Sequence, residues 1–132
     1  ARGRATRVPE DQMVYLAGEP PIDMPPLTRR LVPEGAGRAC TALTAARRDL
    51  DTNHHVNNAR YVAFALEALD GLGIATPEPP LALQVQYRTM AFLGDRIVPV
   101  AHECAGGWDV DLTDGAGRTY ALVRILQREE LA

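Results

Sequence analysis

Between residues 49 and 58 the sequence reads Asp-Leu-Asp-Thr-Asn-His-His-Val-Asn-Asn, crowding two carboxylates, two imidazoles and three carboxamides into ten positions. A carboxylate such as Asp51 can act as general base or as nucleophile. Asn53 and His55 can orient a water or a carbonyl oxygen. The residues that follow turn apolar, and Asn57 or Asn58 can cap a helix there. Backbone N–H groups in the first turn of a helix lack internal partners and carry partial positive charge. Such a place can polarise a carbonyl or hold an anion. Together these are the parts needed to hydrolyse an activated acyl group. Taken one at a time, Asp, Asn and His beside a helix start are more often caps and turn residues. Adjacent His54 and His55 invite a metal, yet no Cys or carboxylate completes a ligand set at familiar spacing, so neither metal nor cofactor is expected. His102, at an alternating strand position, reads as a hydrogen-bonded structural histidine, and Cys104 as a small buried apolar group.

The elements that must position this cluster are legible around it. The helix should run from about Ala59 to Leu72, stopped by Gly71 and Gly73. Its apolar residues (Tyr61, Val62, Phe64, Leu66, Leu69 and Leu72) lie nearly all round, with Glu67 as the chief interior charge, which predicts burial. Residues 38–48 can form a strand before it, softened by alanines. After the helix, Leu81, Leu83, Val85 and Tyr87 alternate with Ala82, Gln84, Gln86 and Arg88, the period of a half-buried strand. Further strands are expected over Ile97–Cys104, Trp108–Leu112 and Thr119–Gln127, with Gly106-Gly107 and Asp114–Gly117 as hairpin turns. An antiparallel sheet wrapped round one helix satisfies both patterns, giving an α+β domain.

The chain of 132 residues suits one domain. Its net charge of −3 gives no general reason to expect nucleic acid or an anionic membrane as partner. No apolar run approaches the roughly 20 residues that span a bilayer. Two cysteines without metal spacing are too few for a disulfide framework, which makes a cytoplasmic setting the default. Residues 1–37 stand apart. They hold six of the ten prolines and an even balance of arginines and acids, as an irregular surface-hugging arm would, with one short helical turn at Pro9–Leu16.

The string Asp51-x-Asn53-x-His55-Val56-Asn57-Asn58-x-x-Tyr61, with Leu66-Glu67 five residues on, resembles the signature of hotdog-fold acyl thioesterases. Asp49-Leu50-Asp51-x-Asn53 is most similar to the branch that acts on acyl-ACP, the acyl-carrier-protein thioesters. Arg7-Val8-Pro9-Glu10 is similar to a stretch between the two hotdog repeats of those enzymes. The resemblance implies that 1–37 correspond to the interdomain linker and 38–132 to a second, catalytic hotdog. It also implies hydrolysis of acyl-ACP, or acyl-CoA, with Asp51 as catalytic carboxylate and Asn53 and His55 supporting it. Asn57, Asn58 and Tyr61 would then face the substrate. Members of the plant type carry Glu then Cys shortly after a Tyr-Arg pair; here Tyr87-Arg88 is present, and Met90 and Ala91 stand at the matching positions. A non-catalytic acyl-binding or scaffold module is the alternative, and a hotdog dehydratase a weaker third. A lone hotdog exposes a sheet edge and half a substrate site, so a homodimer, or pairing with another hotdog half, is expected.

Overall fold

The helix α1, Asn58–Gly71, begins one residue earlier than the pattern suggests because Asn57 is its cap: the Asn57 side-chain oxygen accepts the Ala59 N–H at 2.9 Å. It ends by a paired closure. The N–H of Ile74 donates to the Leu69 carbonyl (3.0 Å) and that of Gly73 to the Asp70 carbonyl (2.8 Å). Gly73 makes this possible by adopting φ of +72°, which a side chain would resist.

The computed structural model describes residues 7–16, 18 and 27–127. Much of the arm read from the sequence, including Pro20, Pro21, Pro25, Pro26, Arg2, Arg4, Glu19 and Asp23, lies outside them. The short turn expected at Pro9–Leu16 is a 3-10 helix over Glu10–Leu16. Four long strands follow α1: β3 (Leu81–Tyr87), β4 (Arg96–Cys104), β5 (Gly107–Thr113) and β6 (Thr119–Gln127). They pair antiparallel in the order β4-β5-β6-β3. At the β4–β5 hairpin a side chain on Gly107 would run into the Ile125 carbonyl, so only glycine fits the close approach to β6.

The strand expected over 38–48 is broken. Only β1 (Arg38–Ala39) and β2 (Leu43–Thr44) pair with β4, with their registers offset by one residue, and Arg47–Asp49 closes into a 3-10 turn. Pro99 lies opposite the break. Its carbonyl accepts the Cys40 N–H at 2.9 Å, so the missing proline N–H falls on the same side, where the ladder needs a donor.

One face of the sheet wraps α1. Tyr61, Phe64, Ala65, Ala68 and Leu69 pack with Ile97, Ala101, Val110, Leu112, Ala121, Val123 and Ile125, all buried. Each large side chain so buried contributes about 1.5–3 kcal/mol, and the alanines on α1 permit its close approach. This is the α+β hotdog arrangement of sheet and central helix. The helix is not enclosed on every side: Val62, Ala63 and Leu66 are half-buried, and Glu67 and Asp70 are exposed. None of the helices among the described residues is long and apolar enough to cross a membrane.

The outer face carries the end of the arm around Thr28 and Leu31. Gln84 and Gln86, read from the sequence as the solvent side of a half-buried strand, instead donate side-chain N–H groups to the Thr28 carbonyl (2.9 and 3.1 Å). Gln86 also accepts the Leu31 N–H (2.8 Å), and Arg88 donates to the Leu31 carbonyl (2.7 Å). Leu31 and Leu122, the residue paired with Gln86, are fully buried outside the main core.

Candidate active site

The polar segment before α1 is a miniature hairpin. Asn57 N–H donates to the Asp49 carbonyl (2.8 Å), Leu50 bridges Val56, and Asp51 N–H donates to the His55 carbonyl (2.9 Å). The turn closes with His54 N–H on the Asp51 carbonyl (3.1 Å) and His54 at φ +62°. Asp51 stabilises that turn with one oxygen: its Oδ1 accepts the Asn53 N–H (2.8 Å) and the His55 N–H (3.3 Å). Its Oδ2 has no protein partner among the described residues.

Asp51, His55, Val56, Asn58, Tyr61, Tyr87, Arg88, Thr89 and Met90 line one cleft of about 510 Å³. Of the residues singled out in the sequence, Asp51, His55, Asn58 and Tyr61 therefore meet in one place. Asn53 and Asn57 are not part of that lining. Asn53 is exposed in the turn, and Asn57 is occupied as the helix cap. The two adjacent histidines part company: His54 is exposed in the turn, and His55 reaches the cleft edge-on to Phe92, with ring centroids 5.2 Å apart.

The first turn of α1 supplies a donor. The Ala59 N–H goes to the Asn57 side chain and the Arg60 N–H to the Asn57 carbonyl, which leaves the Asn58 N–H without an internal partner among the described residues. Asn58 lies in the cleft, so this N–H can meet an oxyanion or a polarised carbonyl there.

Two phenols complete the walls. Tyr87 Oη donates to the Asn58 carbonyl at 3.2 Å, and its ring meets Tyr61 edge-on at 5.7 Å. Burial pushes both phenols up, in Tyr61 against the opposing effect of the Ala91 N–H, so both stay protonated at neutral pH. Tyr61 Oη accepts that Ala91 N–H at 3.1 Å, and the Ala91 carbonyl accepts the Val56 N–H at 2.9 Å. Tyr61 thus fixes the strand-to-turn segment that forms one side of the cleft. Tyr61→Phe is expected to cost about 1–3 kcal/mol in urea unfolding, because Ala91 is fully buried and its N–H would lose its acceptor.

Met90, at the position where the resemblance leads one to look for a glutamate, lines the cleft and is 56% exposed, and Ala91 is buried. Asp51 is accordingly the one carboxylate lining the cleft among the described residues. Thr89 was not singled out from the sequence, and Val56 entered there only as part of the quoted string. Period-two alternation puts Tyr87 on the helix-facing side of β3, which is the signal that brings this strand end to the cleft.

The family model described as acyl-ACP thioesterase C-terminal domain matches residues 37–126. No curated protein sequence matches the chain. Among solved structures, an acyl-ACP thioesterase from Bacteroides thetaiotaomicron is similar with a TM-score of 0.57 and 18% identity, over 79% of this chain and 44% of that one. The chain thus spans less than half the length of that relative. The probable thioesterase YbaW from Escherichia coli gives 0.52 at 24% identity, covering 67% of this chain and 79% of its own. SAV2348 from Staphylococcus aureus, solved in complex with CoA, gives 0.55 at 13% identity, over 72% and 77%. At these identities the structural likeness speaks to the fold.

Proposed function

Because the chain belongs to the acyl-ACP thioesterase C-terminal domain family, we propose that it hydrolyses fatty acyl thioesters, carried by ACP or CoA, to the free acid in the cytoplasm. The observation that carries this reading is that Asp51 and Asn58 line one cleft, while Asp51 Oδ2 and the Asn58 N–H have no partner among the described residues. In the proposed reaction Asp51 takes a proton from water as the water oxygen attacks the thioester carbonyl. The Asn58 N–H holds the developing oxyanion. Collapse breaks the C–S bond, and the thiol leaves with the proton returned from Asp51. His55 orients the water or the carbonyl, Tyr61 holds the cleft wall, and Asn53 and Asn57 act through the turn and the cap.

The substrate site extends to a partner. β3 ends the strand order; Tyr87 and Met90 of the cleft lining are exposed, and so are Leu83, Phe92 and Leu93. A homodimer, or pairing with another hotdog half, would cover this apolar border. A second reading, an acyl-binding module without turnover, draws on Met90 standing in place of a second acid. A chromogenic thiol assay on acyl-CoA and acyl-ACP separates the two. Thiol release by the wild-type protein is the expected result, and saturable binding without release would favour the binding module.

A further inference from the structure

Asp49 does not line the cleft, yet it is 2% exposed and every polar group it has is committed. Its Oδ2 accepts the Ala46 N–H (2.9 Å), its Oδ1 accepts Arg60 Nε (2.8 Å), and its carbonyl accepts the Asn57 N–H (2.8 Å). One residue thereby ties three pieces together: the 3-10 turn before the hairpin, the far strand of the hairpin, and the first turn of α1. Helical side chains lean toward the helix start, so Arg60 reaches back over the cap. Its guanidinium also lies 5.1 Å from the Phe64 ring centroid, which anchors it to the buried stripe of the helix.

The geometry points to Asp49 and Arg60 as positioning residues for the hydrolysis proposed above, on which this inference rests. Asp51 and His55 form the next hydrogen-bonded rung inward from the Asp49–Asn57 rung. The Asn58 N–H follows directly after Asn57 on the helix side. Carboxylate and donor therefore belong to two different elements, hairpin and helix. The Asp49–Arg60 ion pair is a side-chain link between those elements, and it joins them at the base of the hairpin. A pivot of the hairpin about its base would move Asp51 relative to Asn58 while leaving both residues intact. Displacements near 1 Å in such a constellation cost on the order of 10²-fold in rate.

The test uses the intact protein and the variants Asp49→Asn, Arg60→Gln and Arg60→Lys. Asp49→Asn keeps the shape, removes the charge and leaves one acceptor oxygen where Ala46 N–H and Arg60 Nε now have one each. It should lower kcat on the order of 10²-fold with KM within about threefold. Arg60→Lys should recover much of the activity lost in Arg60→Gln. The double variant Asp49→Asn/Arg60→Gln should be no worse than the poorer single variant, since both break the same link. Hydrogen exchange should quicken in Asp49→Asn over residues 50–57 and stay as in the wild type over β4 and β6. Unchanged kcat in Asp49→Asn and in Arg60→Gln would overturn the inference, as would exchange that quickens uniformly with global stability. If the wild-type protein releases no thiol, the hydrolase reading fails. The exchange comparison then decides the clamp alone: wild-type protection of 50–57 in Asp49→Asn rejects it.

Discussion

Asp51→Asn is expected to lower thioester turnover by roughly 10²–10⁴-fold, the usual contribution of a positioned general base. That corresponds to about 3–5 kcal/mol of lost transition-state stabilisation. The substitution is informative because the two oxygens of Asp51 have separate duties. Oδ1 accepts the Asn53 and His55 N–H groups, and the carbonyl oxygen of an asparagine can do the same. The turn should therefore persist, and urea unfolding should match the wild type within about 0.5 kcal/mol. What disappears is the basic oxygen in the cleft, replaced by an amide NH₂ that cannot take a proton from water. The expected signature is a fall in kcat with little change in KM, read in the thiol-release assay. A variant hydrolysing acyl thioesters at the wild-type rate would remove Asp51 from the mechanism.

The largest expected loss of stability lies on the opposite face of the sheet. Asp109 is fully buried, and Arg124 on the neighbouring strand forks onto both of its oxygens at 2.7 Å. The pair raises the Arg124 pKa chiefly through this hydrogen bonding, which outweighs burial. Arg124→Ala leaves the Asp109 carboxylate buried without its cation and should cost about 3–5 kcal/mol. A domain of this size has about 5–15 kcal/mol in all, so the variant should unfold at much lower urea or fail to accumulate. Replacing both partners, as Asp109→Leu/Arg124→Met, should recover most of the loss, since neither charge then needs solvation. If Arg124→Ala unfolds at the wild-type urea midpoint, the ion pair is not needed to keep Asp109 buried.

The contrast between these two sites shows which features a linear reading can reach. The hairpin-helix junction is local. Capping by Asn57, the turn made by Asp51, and the helix closure at Gly73 all use partners within a few residues, so residue type and spacing are enough to anticipate them. The four strands after α1 follow from alternation and glycine-bearing turns for the same reason. The Asp109–Arg124 pair left no such mark. The two residues are brought opposite one another only by the β5–β6 register, and each alone reads as an ordinary polar strand residue. The broken strand at residues 38–48 was hidden in the same way: the cause is Pro99, more than fifty residues along the chain, facing the gap across the sheet.

The arm makes the point again. Its prolines and balanced charges suggest an arm that hugs the surface without saying where: Leu31 is fully buried, and Thr28 and Leu31 are pinned by Gln84, Gln86 and Arg88. Short-range periodicity cannot report a contact made across the back of a sheet. By itself, then, the sequence determined the α+β hotdog class, the helix that the sheet wraps, and the residues with the means for acyl chemistry. Tertiary structure alone decided which of them share a cleft. It gathered Asp51, His55, Asn58 and Tyr61 with the end of β3, left Asn53 in solvent, and gave Asn57 to the helix as its cap. The reason is physical: residue type states what a side chain can do, and packing between distant elements states what it is near.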